Sequence, residues 1–168
     1  NHYHFDATGG NRVFLDRGIP VYGSDRLARA HAERIEDLRG RVTSAFASAG
    51  EIRRRFAEAD FAGPDRTFAA EEGLTLRFGG EDLEVFFPGA AHTPGNTVTW
   101  LPARGILFGG CMVRAGDSIG PLADADLGNY AEAARQLRRF DAAMVVPGHG
   151  EPGGMELIEN TIRLAEEA

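Results

Sequence analysis

Asn1-His2-Tyr3-His4-Phe5-Asp6-Ala7-Thr8-Gly9-Gly10 opens the chain with metal-type side chains at every second position: His2, His4 and Asp6. In an extended or looped segment, residues two apart point the same way, so all three could face one cavity. Neutral imidazole and carboxylate are good ligands for a borderline cation such as zinc. An exposed polar loop would also account for the triplet, and a short motif alone is a hypothesis.

Reading outward strengthens it. Of the five histidines, only His31 falls in a helical pattern. His92 follows Pro88-Gly89, and His149 sits between Gly148 and Gly150. The single cysteine, Cys111, follows Gly109-Gly110 at the end of an apolar run. One thiol cannot close an internal disulfide, so Cys111 is buried filler, a ligand or a nucleophile. Several apolar runs thus end in a glycine turn that presents a ligand-type side chain, the way layered α/β enzymes gather a site at one sheet edge. The six residues divide into two sets: His2, His4 and His92, and Asp6, Cys111 and His149. Three protein ligands with room for water is the pattern of catalytic rather than structural zinc.

The composition sets bounds. At 168 residues with 43% apolar content, the chain can bury a real core within one domain, residues 1–168. A formal net charge of −7 argues against nucleic acid as a partner. All basic residues are arginine, which removes Schiff-base lysine chemistry. No apolar run is long enough to span a bilayer, and no signal peptide is visible.

The periodicity predicts a short helix over Asn11–Gly18, a buried strand over Ile19–Tyr22, and a helix capped by Ser24 or Asp25 that Gly40 breaks. A second helical stretch is expected over Arg41–Phe61, ended by Gly63-Pro64. Strands are predicted at Arg66–Ala70, Leu74–Phe78, Leu83–Phe87, Thr97–Leu101, Gly105–Phe108 and Ala143–Val146, with Gly79-Gly80-Glu81-Asp82 as a hairpin turn. Helices capped by Asp126 and spanning Met155–Ala168 complete a layered α/β pattern. His31 reads as a surface or half-buried helical residue. Asp124 and Asp126 read as helix-capping or loop-shaping residues rather than ligands. Asn96 reads as steadying the loop after His92, and Trp100 with Phe86-Phe87 as packing the sheets.

The ordered set His2-x-His4-x-Asp6 with Gly9-Gly10, Gly89-Ala90-Ala91-His92-Thr93, Gly109-Gly110-Cys111 and Pro147-Gly148-His149-Gly150 resembles the metallo-β-lactamases. The likeness is strongest to the broad-spectrum class B subclass with a cysteine ligand and two zinc ions. It implies a four-layer αββα sandwich. It also implies a first zinc on His2, His4 and His92 and a second on Asp6, Cys111 and His149. A metal-bound hydroxide would attack the β-lactam amide, with Asp6 orienting it, and Arg114 would pair with the substrate carboxylate where the family often has lysine. A small-molecule β-lactam partner, a role in antibiotic resistance, and a periplasmic or secreted location follow from the same resemblance. Glyoxalase- and lactonase-type relatives have a histidine after the motif aspartate, where this chain has Ala7, and most bridge the metals with aspartate, where it has Cys111.

The chain departs from the pattern in three places. Pro121 stands where many members carry an asparagine whose amide helps hold the lactam carbonyl. The segment 34–65 is longer and more helical than usual, as a lid or as added surface. The family's first half, before the His-x-His motif, is not in this chain, so an upstream segment or a second chain is expected to supply it and to cover an otherwise exposed sheet face. Two further readings stay open: another hydrolase of the superfamily acting on esters, lactones or phosphoesters, and a metal-binding module without turnover.

Overall fold

The computed structural model describes residues 1–168. A five-stranded sheet in the order β3-β4-β5-β6-β7 forms its centre, from Leu74–Phe78 (β3), Glu81–Phe86 (β4), Val98–Leu101 (β5), Ile106–Gly110 (β6) and Met144–Pro147 (β7). The first four strands run antiparallel, and β7 joins β6 in parallel. β3 and β4 meet through the two-residue turn Gly79-Gly80, where both φ angles are positive, +60° and +86°. Only glycine takes that pair of conformations without strain, so the turn sets the hairpin register.

Helices α5 (Leu127–Arg135) and α6 (Glu156–Glu166) pack together and bury one face of the sheet. Val98, Leu107 and Val145 point into that core beside Tyr130, Leu137 and Ile158. Phe86 and Trp100 pack against it around Phe140, as the sequence suggested, and Asp126 caps α5 by accepting from the Asn129 amide. The alternate residues Phe108 and Met144 face outward, and Phe78 at the hairpin is 83% exposed. Apolar side chains outward from a sheet mean this face lacks the polar alternation of a solvated one.

A second layer forms on the N-terminal side. Two short helices, Phe5–Thr8 (α1) and Asn11–Leu15 (α2), precede a parallel pair of strands, Tyr22–Ser24 (β1) and Arg66–Phe68 (β2). Between these strands lie α3 (Asp25–Ala45) and α4 (Gly50–Glu58). Leu27, Ala30, Ile35 and Leu38 recur at helical spacing along α3 and bury a stripe against Tyr3 and Phe61. Through Tyr3 and Phe5, α3 therefore braces the segment carrying the histidine motif.

Four expectations change here. The strand lies at Tyr22–Ser24, and Ile19 and Tyr22 are 47% and 45% exposed rather than buried, because β1 pairs only with β2. Gly40 does not break α3: nothing crowds it, and the flanking apolar stripe outweighs its propensity cost of ~1 kcal/mol. The helix ends at Ala45, and α4 occupies only Gly50–Glu58 of the stretch expected to be helical to Phe61. His31 is buried, its Nε2 without a partner and its ring packed against Gly63.

Ser24 caps α3: its Oγ accepts from the Leu27 amide at 3.1 Å. Replacing Ser24 by Ala should lower the unfolding free energy by ~1 kcal/mol, the usual cost of losing a cap. Urea unfolding would read it, and a midpoint equal to that of the parent would show that the cap contributes nothing.

Candidate metal centre

The motif segment is held where β5 and β6 meet. The Thr97 amide donates to Asn1 O at 2.7 Å, and a Cβ on Gly110 would collide with the Asn1 side chain. His2 lies just before a bend at Tyr3 and His4, and Asp6 falls in the first turn of α1. His2 precedes α1, its Nε2 lies 3.3 Å from Asp6 Oδ1, and His2, His4 and Asp6 gather together as the motif suggested.

His92 comes from the loop after β4. Asn96 folds that loop as expected, its Oδ1 accepting from the Ala91 and Thr93 amides, both at 3.0 Å, while its Nδ2 donates to Gly89 O. Cys111 follows β6 and His149 follows β7. The Gly148 amide donates to Gly110 O at 2.8 Å, joining the two strand ends. A Cβ on Gly148 would lie 2.5 Å from Cys111 Sγ, so only glycine lets the two loops approach this closely.

All six candidate ligands come together. The ring centroids of His2, His4 and His92 lie 4.8, 4.9 and 5.0 Å apart. Cys111 Sγ donates to Asp6 Oδ2 at 3.0 Å and lies 3.3 Å from His149 Nε2, which is itself 3.1 Å from the same Asp6 oxygen. The potential ligand atoms of Asp6, Cys111 and His149 lie within 4.8 Å of one another, the grouping expected from the sequence. At the same spacing His2 groups both with His4 and Asp6 and with His92 and Cys111, so it sits between the two sets.

The donor set fits divalent cations. His2 Nε2 and His92 Nδ1 are buried without a hydrogen-bond partner, a costly state that a bound cation would relieve. His2 Nδ1 lies 2.8 Å from Asn1 Oδ1, a contact that would orient the ring toward a cation at Nε2. Burial, then the nearby His2 and His4, push His92 down to about 3, so it is a neutral imidazole at pH 7. The His2 imidazole, against the opposing effect of burial, holds Asp6 well below the usual carboxylate range. Burial, then the Asp6 carboxylate, push the Cys111 thiol up to about 12. A cation at Cys111 must therefore displace a proton, and metal binding is coupled to its release.

A cleft of about 440 Å³ opens over these residues. Phe5, Leu38 and Val42 give it an apolar wall, and Arg41, Arg114 and Pro121 line it elsewhere. α3 thus forms a side of the cleft and is more than added surface. Arg114 Nε donates to Ser118 O at 3.0 Å, which folds the guanidinium along its own loop.

Sequence reasoning missed Asp124. Expected to cap a helix or shape a loop, it instead has a side chain only 9% exposed, with Oδ2 3.1 Å from His4 Nε2 and 2.9 Å from an Arg41 nitrogen. The only local hint was a second aspartate ahead of α5 where one suffices as a cap. Burial favours the neutral acid, but neighbours led by Arg41 prevail and hold Asp124 below the ordinary carboxylate range.

A mixed sheet whose strand ends gather imidazoles, a carboxylate and a thiol beside a cleft defines a metal-site α/β protein. The chain belongs to the metallo-beta-lactamase superfamily, whose family model matches residues 2–149. It is 30% identical over 171 residues to a metallo-beta-lactamase type 2 of Bacteroides fragilis, covering 99% of this chain and 58% of that protein. It is 33% identical over 168 residues to the Bacillus cereus protein of the same name, covering 97% and 55%. The chain thus spans little more than half the length of these relatives. A metallo-beta-lactamase structure from Pontibacter korlensis superposes with a TM-score of 0.79 at 34% identity, over 99% of this chain and 67% of that one. The DIM-1 metallo-beta-lactamase does so with 0.75 at 29%, over 99% and 66%.

Proposed function

We propose that the protein hydrolyses the amide bond of β-lactams with two zinc ions, one on His2, His4 and His92 and one on Asp6, Cys111 and His149. The observation that carries this reading is the thiol set: Cys111 Sγ within 3.3 Å of His149 Nε2 and 3.0 Å of Asp6 Oδ2, in contact with the three-imidazole cluster. Ala7, next to Asp6, has no ligand to offer, so Cys111 is the donor that completes the second set. Relatives named as metallo-beta-lactamases support the same substrate class.

When bound, the two cations supply Lewis acidity and bring a water molecule's pKa toward neutrality. The chain does the rest. Asp6 is ionised and partly open to the cleft, so its carboxylate accepts a hydrogen bond from the attacking water and orients it. Arg114 pairs with the substrate carboxylate through its two terminal nitrogens. Pro121 has no N–H, so its loop position gives no hydrogen bond to the lactam carbonyl. Phe5, Leu38 and Val42 exclude water along one wall and take up apolar substrate substituents.

The same reading has the outward face of the sheet, with Phe108 and Met144, covered by an upstream segment or a partner chain, and places the protein in the periplasm or outside the cell. Full-length protein should turn over a chromogenic cephalosporin, lose that turnover to a strong chelator and regain it with Zn(II). Absence of any chelator-sensitive turnover would rule the reading out. The Pro121 position and the α3 wall keep a second reading in view, hydrolysis of an ester, lactone or phosphoester, and a panel of those substrates separates the two.

A further inference from the structure

Asp124 sits in the segment between β6 and α5, far in sequence from everything it touches. Its Oδ2 takes both the His4 Nε2 contact at 3.1 Å and the Arg41 contact at 2.9 Å, and its Oδ1 lies 3.6 Å from Arg34 Nη1. Arg34 and Arg41 stand seven residues apart on α3, two helical turns, so both reach the same side. Arg41 is steadied by Asp37 at 3.1 Å. The Asp126 amide donates to Ala91 O at 2.7 Å, which ties this segment to the loop that carries His92.

A carboxylate ringed by arginines would suffice to dock a helix. The imidazole on the same oxygen is what docking does not require. A carboxylate can only accept, so His4 carries its proton on Nε2 and its lone pair on Nδ1. From this geometry we propose that Asp124, clamped by Arg41 and Arg34 of α3, is the positioning residue that fixes the tautomer and ring angle of His4 as a metal ligand. The proposal rests on the metal reading of the three-histidine set. It makes α3 a brace for that set, so that displacing the helix would loosen the metal as well as the cleft wall.

Co(II) binding tests this without relying on turnover. In the loaded protein, a thiolate charge-transfer band reports the set containing Cys111, and titration against a chelating indicator reads every bound ion, so the three-histidine set is the binding step that leaves that band unchanged. Asp124→Ala should weaken Co(II) at the three-histidine set ~10–100-fold, the usual cost of losing an outer-shell partner, and leave the charge-transfer band in place. Arg41→Ala should shift it the same way by less. Arg41 is a partly exposed helix residue, so this variant decides the matter if Asp124→Ala fails to fold. Unchanged Co(II) affinity in Arg41→Ala and Asp124→Ala, or an equal loss at both sets in a folded variant, would overturn the inference. Parent protein with no charge-transfer band and no bound Co(II) would refute the metal reading beneath it.

Discussion

Cys111→Ser should reduce bound zinc from two ions to one per chain and turnover of a chromogenic cephalosporin by more than ~100-fold, a loss of about 2.7 kcal/mol in transition-state stabilisation. A serine hydroxyl is nearly the size of the thiol, but it does not ionise to supply the anionic donor that a thiolate gives zinc. Outer-shell changes already cost ~10–100-fold in metal affinity, and a direct ligand should cost more. The remaining partners, Asp6 and His149, lie 3.1 Å apart and would keep only a weakened grip. The three-imidazole set should keep its ion, because its own donors, two from the opening segment and one from the loop after β4, are unchanged, although His2 and His92 also lie close to Cys111. Metal analysis after dialysis, with a thermal unfolding scan as a control for folding, reads the result. Two ions retained with turnover within a few fold of the parent would remove Cys111 from the ligand set, and with it the division into two sites.

The sequence made this candidate site legible because its ligand-type residues follow strong local signals. His92, Cys111 and His149 each come just after an apolar strand and beside a glycine turn, and those turns form as the pattern suggests. The Gly79-Gly80 hairpin, the Ser24 and Asp126 caps and the Asn96 loop depend on residues at most seven positions apart, so a linear reading reaches them. The failures share a different cause. His2-x-His4-x-Asp6 reads as an extended or looped segment, and its three side chains do gather, but a turn of helix begins at Phe5, where Phe5 packs against Phe56 and Phe61. Gly40 reads as a breaker only while the stripe from Leu27 to Leu38 is ignored. His31 looks exposed until Gly63, thirty-two positions on, closes over its ring. Asp124 meets His4 across 120 positions and Arg41 across 83, and no periodicity encodes such a meeting. Local chemistry therefore revealed the candidate ligands, and only the fold revealed what holds them.

Arg114→Glu should raise KM for carboxylate-bearing β-lactams roughly 30-fold or more with a much smaller change in kcat, since losing one side of a desolvated charge pair costs ~2–5 kcal/mol. The structure sets the terms of this expectation. Nε is already committed to Ser118 O, so the guanidinium is held along its loop, over Gly120 at the edge of the cleft, with its two terminal nitrogens left for a ligand. The backbone is fixed independently, its amide donating to Thr161 Oγ1 at 2.8 Å and its carbonyl accepting from Asn160 Nδ2 at 3.1 Å. Changing the side chain should therefore leave the loop in place and act on binding alone. Arg114→Lys keeps the charge and loses the fork, so its KM should rise only a few fold. The decisive comparison is between a cephalosporin and its methyl ester: the parent should strongly prefer the free acid, and Arg114→Glu should lose that preference. Equal KM values for parent and Arg114→Glu on the free acid, or the same proportional change on acid and ester, would mean that Arg114 does not touch the substrate carboxylate.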